Sequence, residues 1–176
     1  MNRATIVLAC VVAMVMPAHA GCDGWWSRAK TTKECFSTEL AGIDKNSRYE
    51  LQGNTLHGFI KHASSYRRLT VEKIKGLARN YGQWLQKHPE QPRHDIRVAV
   101  KVDLVDQYGN KSEGYVLAIK FAAADLVKMN WGDGFDYVTM MFAEPQLLHP
   151  LGAKWLAKYC TEDALDFERE STRFCR

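Results

Sequence analysis

The segment "TVEKIKGLARNYGQWLQKHPEQPRHDIRVAVKVDLV", residues 70–105, decides the fold because its hydrophobic repeat changes from helical to strand-like. In its first half, apolar residues recur three and four positions apart, which is typical of an amphipathic helix. They are Val71, Ile74, Leu77, Ala78, Tyr81, Trp84 and Leu85. A hydroxyl at Thr70 predicts the N-cap of this helix, and His88 before Pro89 predicts its end.

Beyond the helix the repeat shortens to two residues, which is typical of strands buried on one face. The first run is Ile96, Val98, Val100, Val102 and Leu104, and the second is Tyr115, Leu117, Ile119 and Phe121. Residues 106–114 between them are rich in turn formers. The two runs therefore predict an antiparallel hairpin with a long loop.

The remaining elements are predicted from shorter patterns. A third strand is expected over residues 135–143, ending before Pro145, and residues 54–66 suggest a helix. Residues 122–130 fit either a short helix or a continued strand. Pro150 suits the first turn of another helix, and Thr161 is a candidate cap for a last one. We expect an α+β fold: an antiparallel sheet of three or four strands packed against the amphipathic helix, with C-terminal helices.

The start of the chain has the pattern of a secretory signal peptide. Arg3 supplies a positive charge, residues 6–16 are apolar, and Ala18-His19-Ala20 provides small residues at a cleavage site. The sequence therefore predicts a signal peptide over residues 1–20 and a single exported domain over residues 21–176. An alternative is a lipoprotein acylation box at Cys10. No segment of the mature chain is long and apolar enough to span a membrane.

Four cysteines remain after residue 20: Cys22, Cys35, Cys160 and Cys175. Their even number in an exported chain predicts two disulfides and a location in the periplasm or outside the cell. Local pairing, Cys22 with Cys35 and Cys160 with Cys175, is favoured, and cross-pairing of the two ends stays open. The spacings contain no C-x-x-C pair, which argues against zinc.

No pattern of catalysis or cofactor binding stands out. The sequence contains no H-E-x-x-H, no P-loop and no nucleophile elbow, so we expect no metal and no cofactor. The stretch "NWGDGFDY" places Asp133 and Asp136 beside Trp131, a combination that suits a carbohydrate or glycan-cleaving site. The same residues also fit a turn that leads into a strand.

Charge segregation gives a second candidate surface. Basic residues crowd into residues 61–94, where Arg68, Lys75 and Arg79 could receive an acidic protein partner. The alternative is a solvated helix face balanced by the acidic residues 162–170. The net charge of +4 is modest, and an exported protein meets little nucleic acid. Nucleic acid is therefore not an expected partner. Oligomeric state is not indicated.

One helix carries a resemblance to a known family. Residues 69–91, "LTVEKIKGLARNYGQWLQKHPEQ", resemble the helix ending in a His-Pro-Glu step in periplasmic immunity proteins that neutralise secreted peptidoglycan amidases. The resemblance implies an inhibitor role and covers only that helix. Cysteines that flank the helix in that family are absent, since Gly58-Phe59-Ile60 and Leu69 stand there, and strands from Ile96 onward differ from an all-helical fold.

Together these patterns predict an exported bacterial envelope protein that acts without catalysis by binding another protein. It would be an inhibitor, an immunity factor or an accessory of secretion or conjugation. One alternative is an envelope hydrolase acting on glycan or peptide through Asp133, Asp136 or a histidine. Another is a secreted effector or structural subunit.

Overall fold

The computed structural model describes Cys22, residues 29–62, 67–131 and 142–165, Arg169 and Cys175. The described chain forms a mixed α+β fold with one five-stranded sheet and four α-helices. The elements are α1 (Thr32–Ile43), β1 (Arg48–Gln52), β2 (Thr55–Lys61), α2 (Arg67–Lys87), β3 (Asp95–Val105), β4 (Lys111–Phe121), α3 (Ala123–Leu126), β5 (Glu144–Leu147) and α4 (Pro150–Lys158). A π-helical turn, Tyr159–Asp163, continues α4.

The strands lie in their order along the chain, β1-β2-β3-β4-β5. Every neighbouring pair is antiparallel except β2 and β3, which are parallel. The expectation of a purely antiparallel sheet with three or four strands is therefore wrong. The cause is α2, which carries the chain back to the end of the sheet where β2 began, and a crossover of this kind yields parallel strands.

A strand that the sequence patterns did not predict lies within residues 54–61. Residues 54–66 were expected to form a helix, but Thr55–Lys61 is β2. Its buried positions alternate strictly, with Leu56, Gly58 and Ile60 on the inner side. Gly58 leaves room for α1, because a Cβ there would lie 2.7 Å from Leu40 Cδ1. The run is only seven residues long and has a glycine at its centre, so its apolar side chains are too few to indicate a strand.

The predicted hairpin and central helix are present with shifted limits. β3 and β4 pair antiparallel as expected, and β4 already begins at Lys111, inside the predicted loop. The helix α2 begins at Arg67 rather than after Thr70. Thr70 is not its cap, since it is buried and its hydroxyl is hydrogen-bonded to His62 Nδ1.

The C-terminal predictions have mixed outcomes. Residues 122–130 contain the short helix α3, and α4 begins at Pro150 as predicted. The strand expected over 135–143 lies mostly outside the described residues, while β5 begins at Glu144 and includes Pro145, which is tolerated because β5 is an edge strand. Thr161 lies inside the π-helical turn, where its hydroxyl donates to the Ala157 carbonyl of α4. Most of the helix expected after it lies outside the described residues.

The hydrophobic core lies between the sheet and a layer of helices. α1 and α2 pack on each other, α1 covers β1 and β2, and α2 contacts α3 and the π-helical turn. The largest buried side chains come from both layers; they include Phe36, Tyr81, Trp84, Phe121 and Tyr159. The core is thus formed by apolar side chains of the helices and of the inner face of the sheet.

Both predicted local disulfides are present, Cys22–Cys35 and Cys160–Cys175. The first is anchored to the helix layer by Glu39, a buried carboxylate on α1. Its oxygens accept from Cys22 N and from Asn80 Nδ2 of α2, each at 2.7 Å. Disulfides of this kind are typical of proteins from oxidising compartments. Within the described residues, no helix combines the length and the apolar character needed to cross a membrane.

Candidate functional site

The second face of the sheet, called here the open face, has no described helix packed on it. Side chains alternate along each strand, so one set points to the helices and the other to the open face. On β2 and β3 the outward set is half-buried or exposed and mostly polar or aromatic. It comprises Thr55, His57, Phe59, Lys61, Asp95, Arg97, Lys101, Asp103 and Val105, together with Ala99, which is buried. The open face is therefore the candidate binding surface.

A bulge brings an aromatic residue onto the open face. Along β4, the residues Leu117, Ile119 and Phe121 are buried toward the helices, and the same alternation would bury Tyr115 with them. The register shifts between Val100 and Lys101, so that Leu117 pairs with Val100 but Tyr115 pairs with Lys101. An extra residue in one strand reverses the side-chain direction beyond it. Tyr115 therefore lies on the open face.

Tyr115 meets Phe59 of β2 across the intervening strand β3. Their ring centroids lie 5.4 Å apart in an edge-to-face arrangement, a favourable geometry for aromatic pairs. The register places Ala99 of β3 between the two strands. Ala99 is only 1% exposed although no described helix covers this face, so we infer that the rings lie over it. A larger residue there would separate them.

Cations flank the aromatic pair on both sides. The guanidinium of Arg48 lies over the Phe59 ring at 5.3 Å, and Lys101 Nζ lies 5.9 Å from the centre of the Tyr115 ring. Both distances fall in the range of cation–π contacts. Within the described part of the chain, Arg48 and Lys45 have no carboxylate at ion-pair distance. Both cations are therefore without a described acidic partner.

Two further lysines share one carboxylate. Glu113 of β4 lies 2.6 Å from Lys61 Nζ and 2.6 Å from Lys101 Nζ, and Asp103 lies 2.9 Å from Lys61 Nζ. Hydrogen bonds from the lysines lower the pKa of Glu113 to about 2, and the same bonds raise the pKa of Lys61 above its ordinary value. The Glu113 carboxylate thus lies between two ammonium groups at the surface of the sheet.

An open cavity of about 630 Å³ lies beside the aromatic pair and the turn between α1 and β1. Phe59 and Tyr115 provide its aromatic surface, and Ile43 and Ile60 add apolar lining. Its cations are Lys45, Arg48, Lys61 and Lys101, against the single carboxylate of Asp44. Asp44 is engaged by main-chain groups, since its oxygens accept from Asn46 N and Lys61 N at 2.9 and 3.0 Å. The cavity thus combines positive charge with an aromatic surface.

A polar row lies next to the cavity on the same face. Arg97 Nε donates to Gln146 Oε1 at 2.6 Å, and Arg97 Nη1 lies 3.3 Å from His57 Nδ1. Burial, and secondarily the nearby Arg97 charge, lowers the pKa of His57. No described serine, threonine or cysteine is hydrogen-bonded to His57, so the row lacks the nucleophile–base pair of acyl-transfer enzymes.

The residues singled out from the sequence lie elsewhere. Trp131 is 8% exposed, and its indole N–H donates to the Leu126 carbonyl, so it packs in the helix layer. Asp133 and Asp136 lie outside the described residues. Lys75 is 5% exposed with its amine 3.0 Å from Glu72, while Arg68 and Arg79 are half-buried on α2. Their role in binding stays a prediction.

Sequence reasoning missed the cavity for a local reason. Its aromatic pair depends on a bulge and on β2, and periodicity detected neither of them. One signal is present in β3. Arg97 and Lys101 are charged and face outward, but the residue between them on the same face is Ala99. A small residue between charged residues on a solvent-facing strand leaves space that side chains of the neighbouring strands can cover.

Within the described chain, no three His, Cys, Asp or Glu side chains group closely enough to hold a metal ion. Comparison of the sequence and the structure with family models, curated proteins and solved structures finds no match.

Proposed function

We propose that this chain is an exported bacterial envelope protein that acts without catalysis, by binding an acidic segment of another protein on the open face of its sheet. The observation that carries the proposal is the cavity beside Phe59 and Tyr115. It presents Lys45 and Arg48, two cations without a described counter-ion, next to an aromatic pair.

The charge distribution supports a carboxylate-bearing partner. Lys61 and Lys101 already hold one carboxylate between them, that of Glu113, so this surface has a geometry that accepts such a group. Electrostatic complementarity of this kind steers association and fixes register. An aromatic anchor next to charged groups is also the composition of protein-binding hot spots.

The two disulfides fit the proposed location. Cys22–Cys35 and Cys160–Cys175 are compatible with the oxidising conditions of the periplasm or the extracellular space. Inhibitor, immunity factor and secretion or conjugation accessory are all roles of small exported binding proteins, and the chemistry of the cavity suits each of them.

The direct test is an NMR titration of the ¹⁵N-labelled protein with hexaglutamate, with hexalysine as the control peptide. We expect hexaglutamate to shift the amide signals of Arg48, Phe59 and Lys101, and high salt to abolish the shifts. Shifts that are absent, or that map to α2 instead, would contradict the proposal.

A second test links the cavity to a natural partner. Immobilised protein is exposed to envelope extract at low salt, and Lys45→Glu/Lys101→Glu is compared with Lys73→Glu/Lys154→Glu, which makes the same charge change on exposed helix positions. We expect a partner that the wild type and the helix variant capture and the cavity variant loses. Equal capture by all three proteins would count against the open face.

A further inference from the structure

β1 is an edge strand with an unpaired outer side. It is the first strand of the sheet, and all five of its residues, Arg48–Gln52, are exposed. No described element pairs with its outer edge. Edge strands expose main-chain groups that can pair with another chain.

The register fixes which main-chain groups point outward. β1 and β2 are joined by the two-residue turn Gly53-Asn54, with Gly53 at φ 57°, and Gln52 faces Thr55 across it. Residues of an antiparallel pair alternate between bonding to their partner and pointing away. Gln52, Glu50 and Arg48 therefore bond to β2, and Tyr49 and Leu51 direct their N–H and C=O groups outward.

The end of β2 agrees with this assignment. Lys61 follows Thr55, His57 and Phe59 on the side that bonds to β1, and β1 has ended at that level. Its N–H accordingly donates to the Asp44 carboxylate at 3.0 Å. The next residue, His62, donates to Lys101 O on the opposite side at 2.8 Å.

The side chains of β1 form a self-complementary order. Arg48 and Glu50 point to the open face, on either side of Tyr49, which points to the helix layer. If a second β1 pairs antiparallel with the two Tyr49 residues facing each other, each Arg48 lies opposite the Glu50 of the other copy. Tyr49 and Leu51, each 38% exposed, then gain apolar contacts on the helix side.

We propose that two copies of this chain associate through β1, antiparallel and with Tyr49 at the two-fold axis. The dimer has one continuous ten-stranded sheet and places two open-face cavities on the same side. Because α1 contacts both β1 and β2, the two α1 helices come to lie roughly 10 Å apart for strands spaced about 4.8 Å. That separation is the distance of closely packed helices, so the two α1 helices come into contact without overlapping.

Neighbouring registers are less favourable. Pairing centred on Glu50 places the two Glu50 carboxylates opposite each other. Pairing centred on Leu51 leaves Arg48 beyond the partner strand and sets Glu50 against Gln52. Opposite charges directly across a strand pair stabilise it, and like charges destabilise it.

Sedimentation velocity over micromolar to millimolar concentrations tests the dimer. We expect the wild type to dimerise, and Arg48→Glu and Glu50→Arg each to weaken dimerisation by about tenfold, because each replaces two attractive pairs with two repulsive ones. Mixing the two variants restores association as a heterodimer, since every facing pair is then opposite in charge. Lys73→Glu, on the exposed side of α2, is the matched control.

A variant of the main chain provides an independent readout. Tyr49→Pro removes an outward N–H and leaves the bonds to β2 intact, so the protein folds, by circular dichroism, but stays monomeric. A wild type that is monomeric throughout the concentration range overturns the proposal. So does a dimer that Arg48→Glu, Glu50→Arg and Tyr49→Pro all retain. Hexaglutamate binding is measured separately. Arg48→Glu should weaken it as well, because Arg48 lines the cavity, whereas Tyr49→Pro changes a residue outside the cavity and so distinguishes the dimer from the proposed function.

Discussion

The two faces of the sheet are made from the same strands, one residue apart, and have opposite characters. On the helix side stand Leu56, Ile96 and Ile119, all fully buried. On the open face stand His57, Arg97 and Lys120, which exchange ion pairs and hydrogen bonds near solvent. Because side chains alternate along a strand, one set of residues packs in the core and the other set is available for binding.

The difference is also one of energy. Burial of a large aliphatic or aromatic side chain stabilises a fold by about 1.5–3 kcal/mol, whereas an exposed ion pair contributes about 0–1 kcal/mol. Changes on the helix side should therefore act on folding, and changes on the open face on binding.

Adjacent residues of β4 provide the largest contrast. Phe121 is fully buried on the helix side, and Lys120 pairs with Asp95 on the open face at 3.1 Å. We expect Phe121→Ala to lower the free energy of unfolding by about 3–5 kcal/mol and Lys120→Ala by less than about 1 kcal/mol. Urea denaturation measures both. Similar losses for the two variants would show that the faces are not separate.

Removal of the N-terminal disulfide should have the next largest effect. Cys22 and Cys35 are both buried and separated by 13 residues. We expect Cys22→Ala/Cys35→Ala to cost about 3 kcal/mol, mainly because the unfolded chain regains entropy. Thermal denaturation gives the loss, and the folded variant should bind hexaglutamate as the wild type does. Impaired binding at equal folded fraction would connect the helix layer to the open face.

The helix layer should also make stability depend on pH. Burial, and secondarily Arg67, lowers the pKa of His62, which contacts Thr70 and Trp155 and lies near Asp163. The pKa of this histidine in the unfolded chain is about 6.5, so below that pH the unfolded state binds more protons than the folded state. The free energy of unfolding therefore decreases as the pH falls through about 6.5. We expect His62→Gln to reduce this slope between pH 7 and 5.

Two other histidines set the size of that slope. His57 and His94 also have lowered pKa values, mainly because of burial, and retain part of the dependence in the His62→Gln variant. Denaturation midpoints measured across this pH range give the comparison. A slope unchanged by His62→Gln would mean that the helix-side histidine does not titrate with folding.

The smallest effect is expected at the carboxylate shared by two lysines. Lys61 and Lys101 hold the pKa of Glu113 at about 2 through hydrogen bonds. We expect Lys101→Gln to raise that pKa toward its ordinary value, with little change in stability because the cluster is exposed. A ¹³C NMR titration of the Glu113 carboxyl carbon measures the shift. A pKa that Lys101→Gln leaves unchanged would show that the ion pair is not formed in solution.

Sequence patterns predicted the parts of the fold that are long and regular. The stripe from Val71 to Leu85 identified α2, and the alternations around Val98 and Ile119 identified the β3–β4 hairpin. Local spacing of the cysteines favoured the observed disulfides. Short elements were lost: β1 and β2 span too few residues for a period to be measured, and β5 contains a proline.

The candidate site was harder to predict than the fold. Arg68, Lys75 and Arg79 stand out as charges in the sequence, yet Lys75 is buried beside Glu72. Phe59 and Tyr115 carry no motif, and their contact depends on the register between three strands. A count of charges along the chain cannot distinguish a solvated lysine from one enclosed by its own fold.

The sequence by itself determined the long helix, the hairpin and the α+β class and favoured the local cysteine pairs, because each depends on residues near one another in the chain. Tertiary structure alone decided the parallel pairing of β2 with β3, the direction of Tyr115 and the cations gathered around the cavity. These features depend on which strands lie side by side and on a one-residue bulge. Such contacts join distant parts of the chain, and local periodicity carries no information about them.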